Sequence, residues 1–259
     1  MKTWNDIGFE IEITGDGSPS LRLLHSVDPT TYKGESMHHS GGAYSETQII
    51  YSAPIAEVLR KMKNPSFLIV GLGLGYIELC IAKESLQQGI PPQEIERITS
   101  YESVSELKEF FIAWLYNRTG LHPEVQDVYD LLGSYITKGI SLSIEDLKSF
   151  LRLHFKSTED IQGSLLADTV FTHRYHGIMY DAFSSKTSPH LWEEEFLKRF
   201  LKESSQGNCL FSTYACRGTL KRALTENNYQ LTIREGFQSK RNSTLGLSGS
   251  FKKNKSYGT

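Results

Sequence analysis

Apolar and polar residues alternate near the start of the chain, and continuous apolar runs follow further on. Residues 9–13 and 20–24 alternate around a Gly- and Pro-containing turn, which predicts a β-hairpin. Residues 67–70, Phe-Leu-Ile-Val, are typical of a strand buried between two helical layers. Residues 118–172 show no pattern clear enough to place element boundaries. The other predicted elements are helices over 48–63, 77–86, 106–116, 144–154, 191–202 and 219–226, and strands over 98–102, 176–180, 208–214, 229–234 and 244–247.

Strands that alternate with helices indicate βαβ units and a mostly parallel sheet, so the fold class is α/β and Rossmann-like. Residues 229–247 are expected to close the sheet with an antiparallel hairpin. The pattern divides the chain into an N-terminal β-hairpin extension (1–36), a main domain (37–247) and a disordered basic tail (248–259). A polar segment over residues 37–47 is expected to be a loop that leads into the helix over 48–63.

Composition excludes several classes of protein. The 259 residues are 39% hydrophobic and 22% charged, as in ordinary globular proteins, and no apolar run is long enough to cross a bilayer. The first residues lack the apolar segment of a secretory signal, and the three cysteines lack metal-ligand spacing. We therefore expect a cytoplasmic protein without a membrane segment or a metal site.

Charge is unevenly distributed along the chain. From Arg217 onward there are nine Lys or Arg and two Glu, a local balance of +7 within a net charge of −2, which leaves −9 elsewhere. Such a basic region can attract a polyanion. The alternative is a solvated tail, which residues 248–255 favour, while Lys240 and Arg241 suit either interpretation.

A Gly-rich turn follows the strand over residues 67–70. Its GxGxG pattern (Gly71, Gly73 and Gly75) would let a ligand approach the backbone and the start of the next helix. Tyr76 stands where a dinucleotide fingerprint requires glycine, which disfavours a pyrophosphate, and tight packing is the alternative use of such a turn. Glu102 ends the next strand and could accept hydrogen bonds from both hydroxyls of a ribose. Together these features resemble the S-adenosylmethionine site of a Rossmann-like methyltransferase.

Asp181 follows an apolar strand, at the sheet edge where α/β proteins bind ligands. Alone, an acid at this position would more often cap a helix. Beside a methyl donor it could instead orient an acceptor amine and take its proton. Keeping an alkylamine neutral near pH 7.4 costs about 4 kcal/mol, and desolvation by Phe183 and Trp192 would oppose the charged form. Core packing is the alternative role of these two aromatic residues.

Several blocks, in order, resemble the methyltransferase half of the bifunctional tRNA-modifying enzyme MnmC and its stand-alone relatives. The most specific block is Asp-Ala-Phe-Ser at 181–184 with Pro-His-Leu-Trp at 189–192. The others are residues 15–21, 39–43 with Glu46 and Thr47, 71–75, 101–102, and 236–237 with Lys240 and Arg241.

The resemblance implies S-adenosylmethionine as methyl donor and the 5-aminomethyl group of a wobble uridine in tRNA as acceptor. It places Gly71, Gly73, Gly75 and Glu102 at the donor and Asp181 at the reacting amine. His39, Ser40, Glu46 and Thr47 would cap the donor, although His39 could be a surface histidine. An acid should contact the adenine, and Asp168 is favoured over Asp160. Substrate contacts would come from Phe183, Trp192, Lys240 and Arg241.

The chain departs from the family pattern at two places. Ser185 replaces a proline after Asp-Ala-Phe-Ser, and Asn242-Ser243 replaces an acid and a methionine. No flavin oxidase half is recognised, so FAD is not expected, and a separate oxidase or upstream wobble-uridine enzyme would be a partner. The alternatives are methylation of another amine, which Ser185 favours, a non-catalytic RNA-binding protein on a degenerate methyltransferase fold, and a dehydrogenase.

Overall fold

A computed structural model describes residues 1–25, 34–239 and 242–253. Within these residues a two-stranded and a seven-stranded sheet form. The small sheet pairs β1 (Phe9–Ile13) with β2 (Pro19–Leu23) in the predicted antiparallel hairpin. The large sheet has the order β5-β4-β3-β6-β7-β9-β8. Its strands are β3 (Ser66–Val70), β4 (Arg97–Tyr101), β5 (Ile161–Gln162), β6 (Tyr175–Tyr180), β7 (Ser205–Thr213), β8 (Gln230–Arg234) and β9 (Ser243–Leu247).

Helices cover both faces of the large sheet. They are α1 (Ala43–Thr47), α2 (Ala53–Lys61), α3 (Tyr76–Gln87), α4 (Ser105–Leu115), α5 (Pro123–Thr137), α6 (Ile144–Arg152), α7 (Glu194–Ser204) and α8 (Gly218–Glu226). Strand β3 is buried along its whole length. Phe67 and Ile69 point into the core beneath α2 to α6, whereas Leu68 and Val70 point into the core beneath α7 and α8. The predicted continuous apolar strand therefore contributes side chains to two hydrophobic cores, one on each face of the sheet.

The parallel strands end together at one edge of the sheet. Val70 at the end of β3 is paired in register with Tyr101 of β4 and Tyr180 of β6. Because parallel strands expose their carboxyl ends at the same edge, the residues that follow these three positions must be neighbours. The sheet order also reverses direction between β3 and β6, and this reversal leaves a crevice.

The far end of the sheet contains the expected antiparallel pair. Strand β9 lies between β7 and β8 and runs antiparallel to both. The mixed α/β fold, with a mostly parallel sheet, this C-terminal pair and the N-terminal hairpin, is thus confirmed. Each described helix is too short or too polar to cross a lipid bilayer.

Several predicted boundaries were wrong. The expected loop over 37–47 already contains α1, and the expected single helix over 48–63 is divided into α1, a π-helical turn (Gln48–Ser52) and α2. The helix predicted over 191–202 begins at Glu194, after a separate 3₁₀ turn (Pro189–Trp192). In the stretch 118–172, α6 matches the helix predicted over 144–154, whereas α5 and the short strand β5 were not predicted.

The described part of the predicted disordered tail is ordered. Residues 249–251 form a 3₁₀ turn, and Phe251 is 3% exposed beneath the Lys61 ammonium group. The expectation of disorder therefore does not hold for residues 248–253, and residues 254–259 lie outside the described part of the chain. The boundary at residue 36 between extension and main domain stays a prediction.

Candidate active site

A cavity of about 440 Å³ lies at the carboxyl ends of β3, β4 and β6, where the sheet order reverses. This volume is within the range of small-molecule sites, about 300–1,000 Å³. The residues directly after the three strands, Gly71, Glu102 and Asp181, all line it. The register of the strands thus brings together the Gly-rich turn, Glu102 and Asp181, which the sequence analysis predicted as site residues.

The Gly-rich turn combines two structural roles. Gly71 and Gly73 line the cavity, and both have left-handed backbone angles, with φ of 96° and 53°. A Cβ atom on Gly71 would lie 2.6 Å from the backbone oxygen of Asp181, so only glycine lets β3 and β6 end this close together. Gly75 does not line the cavity; a Cβ atom there would lie 2.4 Å from the Phe111 ring. Its role in the structure is the close packing of α3 against α4.

Glu102 is 8% exposed and is held by the backbone. Its Oε2 accepts a hydrogen bond from the Gly73 N–H at 3.1 Å, and its Oε1 accepts one from the Val104 N–H at 2.9 Å. Burial raises the pKa of Glu102, and these amide donors oppose the rise. The carboxyl group is therefore fixed toward the turn, and each oxygen keeps acceptor capacity for a hydroxyl.

Asp181 is partly buried in the cavity lining and does not cap a helix, because a loop follows it. Its Oδ1 accepts a hydrogen bond from the buried Tyr51 hydroxyl at 2.6 Å. Burial raises the pKa of Asp181 to about 7, the Tyr51 hydrogen bond lowers it, and the nearby Glu46 raises it. A carboxyl group with this pKa can both accept and release a proton near neutral pH.

The predicted cap residues divide between the cavity and the core. His39, Ser40 and Glu46 line the cavity, and the Glu46 Oε2 accepts a hydrogen bond from the His39 N–H at 2.7 Å. Thr47 does not line it; its side chain is buried and donates to the Ala43 carbonyl at 2.9 Å. The segment 39–46 therefore covers the cavity, whereas Thr47 stabilises the first turn of α1.

The two predicted aromatic contacts also differ. Phe183 lines the cavity, whereas Trp192 is 3% exposed and packs edge-on against Tyr180 at 5.2 Å between ring centres. The Trp192 Nε1–H donates to the Phe183 carbonyl at 2.7 Å. Trp192 thus has the core-packing role and holds the backbone of Phe183 in place.

The structure does not bring the adenine candidates to the cavity. Asp160 and Asp168 are both exposed, and neither is among the lining residues. Asp160 accepts backbone hydrogen bonds from Lys156 and Ser157 at 2.7 and 3.0 Å, as a cap does. On this side the cavity is lined instead by Ser103, Gly163 and Leu165. The predicted substrate contacts Lys240 and Arg241 lie outside the described residues.

Sequence reasoning missed several lining residues. Glu35 lines the cavity and accepts hydrogen bonds from the Ser184 N–H and hydroxyl at 2.8 and 2.9 Å, and from the Thr187 hydroxyl. Nothing in the sequence around Glu35 marks it, because its partners are about 150 positions away. Tyr214, in contrast, directly follows β7, so the strand-end argument that found Asp181 would have found it.

His38, next to the predicted His39, is another lining residue that sequence reasoning missed. Its Nδ1 lies 2.9 Å from the Ser20 hydroxyl, and its ring contacts Tyr76 edge-on. Burial lowers the pKa of His38 to about 4, although Asp16 opposes the shift. The imidazole is therefore neutral at pH 7.

The cavity lining is rich in acidic side chains. Glu35, Glu46, Glu102 and Asp181 all contribute to it, whereas no Lys or Arg does among the residues that the structure describes. Nor do the described side chains contain a group of three or more His, Cys, Asp or Glu suited to a metal ion. A cationic ligand would be attracted to such a cavity.

Comparison with known proteins finds a family model that matches part of the chain. Residues 123–248 match a family model described as S-adenosyl-L-methionine-dependent methyltransferase. The matched range is 126 residues, just under half of the chain. The match begins after the Gly-rich turn and Glu102, and it includes Asp181, α5 and the antiparallel pair.

Two curated proteins and one solved structure resemble this chain. The bifunctional protein MnmC of Hahella chejuensis, named for tRNA 5-methylaminomethyl-2-thiouridine biosynthesis, is 31% identical over 67 residues, 26% of this chain and 10% of that protein. An uncharacterized protein of Methanocaldococcus jannaschii is 25% identical over 240 residues, 85% of this chain and 56% of that protein. The chain thus spans less than two thirds of either relative.

The crystal structure of MnmC2 from Aquifex aeolicus superposes with a TM-score of 0.59. The superposition covers 93% of this chain and 70% of that one at 19% sequence identity. This likeness establishes a shared fold, which the sequence resemblance to the MnmC methyltransferase half had predicted.

Proposed function

We propose that the chain transfers a methyl group from S-adenosylmethionine to the 5-aminomethyl group of a wobble uridine in tRNA. The observation that carries the proposal is Asp181, a carboxyl group with a pKa near neutrality at the end of β6, inside a cavity whose described lining has four acids and no Lys or Arg. Both reactants are cationic, since one has a sulfonium and the other an ammonium group. The negative lining therefore suits the donor and the acceptor together.

The donor fits the part of the cavity between β3 and β4. The backbone of Gly71 and Gly73 would lie against it, and the Glu102 carboxylate would accept hydrogen bonds from its ribose hydroxyls. His39, Ser40 and Glu46 would cover it. For Asp168, which is exposed outside the cavity, the geometry supports no adenine contact, and Ser103 and Leu165 are better placed.

Proton transfer is the chemical task of Asp181. The acceptor amine enters as an ammonium ion, and its lone pair becomes available only when the carboxylate takes a proton. The nitrogen then forms a bond to the methyl carbon as the carbon–sulfur bond breaks, and the sulfonium becomes a neutral thioether. The product is a methylated ammonium ion, and the proton on Asp181 is released to water. Phe183 excludes water beside the reacting nitrogen.

The name of the Hahella chejuensis relative supports tRNA as the acceptor, as does the basic segment with Lys240 and Arg241. The amine must already be free, so an upstream enzyme that installs or unmasks the aminomethyl group would supply the substrate. Location in the cytoplasm stays a prediction.

Methyl transfer to tRNA that contains 5-aminomethyl-2-thiouridine tests the proposal, with isotope-labelled S-adenosylmethionine and nucleoside mass analysis. We expect Asp181→Asn to lower kcat by about 100-fold or more, because the amide cannot take the proton, while donor binding measured by calorimetry persists. Glu195→Gln, an acid exposed on α7, is the matched control and should leave the rate unchanged. Full activity of the Asp181→Asn enzyme would exclude this role.

A free amine rather than tRNA is the second candidate acceptor. The lack of Lys and Arg in the described lining favours it, because nothing there would pair with a phosphate group. A chain that binds S-adenosylmethionine but neither binds nor methylates the tRNA would point to such an amine. A chain that binds tRNA but not the donor would instead be a non-catalytic RNA-binding protein.

A further inference from the structure

The Asp181 carboxyl group has two oxygens in different surroundings. Oδ1 accepts the 2.6 Å hydrogen bond from the Tyr51 hydroxyl, which also lies 3.4 Å from the Tyr180 carbonyl. Among the hydrogen bonds of the described residues, Oδ2 accepts none. Tyr51 is 2% exposed and, unlike Asp181, does not line the cavity. Tyr51 therefore contacts the carboxyl group from the side of the protein core.

A π-helical turn places Tyr51 in this position. The turn (Gln48–Ser52) interrupts the helix between α1 and α2, and such turns are rare and frequently occur at functional sites. Helix α3 anchors both of its ends: the Gln48 side-chain oxygen accepts from the Lys83 ammonium at 2.8 Å, and the Ser52 hydroxyl donates to Glu84 at 2.5 Å. These anchors fix the rotation of the turn about its axis.

The opposite side of the turn is anchored by the sheet. The Ile50 carbonyl accepts hydrogen bonds from the Ser212 hydroxyl at 2.5 Å and from Arg234 Nη1 at 3.3 Å. Arg234 Nη2 in turn donates to the Ser212 hydroxyl at 2.9 Å. Tyr51 is thus held between α3 on one side and β7 and β8 on the other, and its hydroxyl has little freedom to leave Asp181.

We propose that Tyr51 is a positioning residue for methyl transfer: its hydroxyl occupies Oδ1 of Asp181 and leaves Oδ2 as the oxygen that meets the acceptor amine. This inference rests on the proposed function of Asp181 as the proton acceptor. Tyr51 itself touches neither reactant. It orients the carboxyl group, and by donating a hydrogen bond it favours the ionised form that the reaction needs.

Other ionisable groups also face Asp181. Glu46 on α1 raises its pKa. Burial is the main cause of the raised pKa of Glu78 on α3 and of Tyr214 after β7, and the Asp181 charge adds to both shifts. Burial lowers the pKa of Arg234 on β8, and the nearby Tyr51 opposes this shift. Among the described residues, Tyr51 is the group that donates a hydrogen bond to the Asp181 carboxyl. Removal of this hydrogen bond should therefore raise the pKa of Asp181, whereas removal of the Glu46 charge should lower it.

Two changes at position 51 test the inference, because they should shift the pKa of Asp181 in opposite directions. Tyr51→Phe removes the donor and should raise the pKa of Asp181 by about one unit, so that the acidic limb of the kcat/KM profile moves to higher pH. Incorporation of 3,5-difluorotyrosine at position 51 makes the hydroxyl a stronger donor and should move the limb to lower pH. Tyr175→Phe, at the other end of β6, is the control and should move neither, since its hydroxyl bonds Thr99.

The same titration can be followed without turnover, by carboxyl-carbon NMR of the full chain labelled in aspartate, with Asp181→Asn to assign the signal. The NMR titration can be measured even if tRNA is not the substrate. Failure of the proposed function and failure of this inference are therefore distinguishable. An Asp181 titration that is unchanged in the Tyr51→Phe variant would overturn the inference. If that variant does not fold, the difluorotyrosine protein, which keeps the hydroxyl group, decides by the same criterion.

Discussion

Glu78 is the most deeply buried acid near the cavity, although it does not line it. It is fully buried on α3; its Oε1 accepts a hydrogen bond from the Ser100 hydroxyl at 2.5 Å, and its Oε2 has no partner among the described residues. Burial raises the pKa of Glu78 to about 8, and the Ser100 hydrogen bond opposes the rise. The neutral acid is therefore the stable form in the folded protein at pH 7.

The position of Glu78 predicts a pH-dependent cost in stability. The folded pKa, about 8, is above the unfolded value of 4.5, so stability is greatest below pH 4.5 and falls as the pH rises toward 8. Glu78→Gln keeps the shape of the neutral acid and removes the titration. We expect the variant to gain stability relative to the wild type across this window, by about 2–4 kcal/mol at pH 8.

Urea unfolding at pH 5 and pH 8 measures this difference. Glu195→Gln serves again as the exposed control and should show no such trend, because an exposed carboxylate has no burial penalty. If the difference in unfolding free energy between Glu78→Gln and the wild type is the same at pH 5 and at pH 8, Glu78 does not have a raised pKa in the folded protein.

At this scale the sequence predicted residues that follow strands better than residues within loops and helices. Gly71, Glu102 and Asp181 each end a strand, and the strand register alone brings them together. Gly75 and Thr47 belong to sequence blocks in which other residues line the cavity, yet the Cβ position of Gly75 and the side chain of Thr47 face the packed interior. A single sequence does not reveal which way a motif residue points, because that depends on the neighbouring element, here Phe111 for Gly75.

At the scale of elements, Asp16 links the N-terminal hairpin to helix α1. Its Oδ2 accepts hydrogen bonds from the Ser45 N–H and hydroxyl at 2.9 and 2.7 Å, and its Oδ1 accepts from the Ser18 N–H at 2.9 Å. The preceding Gly42 has no side chain to cap the helix, so an acid from a distant turn supplies the cap. Helix α1 carries Glu46, and the hairpin therefore supports the cover of the cavity.

We expect Asp16→Ala to lower the free energy of unfolding by about 1–2 kcal/mol at pH 7. The hydrogen bonds lower the pKa of Asp16 from 3.8 to about 2 although burial opposes them, so the stabilisation is complete above pH 4 and is lost as the pH falls toward 2. Because α1 carries Glu46, the affinity for S-adenosylmethionine should fall as well.

The matched control for this change is Asp146→Ala, which removes the capping box at the start of α6. It should cost similar stability and leave donor affinity unchanged, as measured by urea unfolding and calorimetry. Equal donor affinity in the Asp16→Ala and wild-type proteins would show that the hairpin does not support the cavity cover.

The main elements could be predicted from periodicity, but their interruptions could not. Helical periodicity continues through residues 48–63, whereas the structure has a π-helical turn there, fixed by Lys83 and Glu84 from another helix. Helix α5 was not predicted although Pro123 stands at its first position, because the sequence around it has no clear start and stop signals. Long-range contacts decide such details, and one sequence carries little information on them.

At the scale of the whole molecule, the chain combines a negative cavity with a basic C-terminal segment. The balance of +7 from Arg217 onward contrasts with −9 in the rest of the chain. A polyanionic substrate would be attracted by the segment and repelled by the cavity, so that only its cationic amine would enter. This division of charge is consistent with a tRNA whose wobble nucleotide is inserted while its phosphates stay outside.

Lys240→Ala and Arg241→Ala should each weaken tRNA binding and reduce the slope of log affinity against log salt by about 0.7–0.9, as expected for the loss of one phosphate contact. Donor affinity should stay the same. Lys202→Ala, an exposed lysine near the end of α7, is the control and should change neither tRNA affinity nor the salt slope. A salt slope unaffected by either change would show that these residues do not contact the proposed tRNA substrate.

Strand β9 follows β8 in the chain but lies between β7 and β8 in the sheet. During synthesis, β7 therefore presents an unpaired edge, and β8 has no strand to join, until residues 243–247 have left the ribosome. The buried residues 209–213 of β7 are then open to association with other chains. Completion of the sheet is a late folding event, and a nascent chain stalled before residue 243 would lose two strand pairings at once.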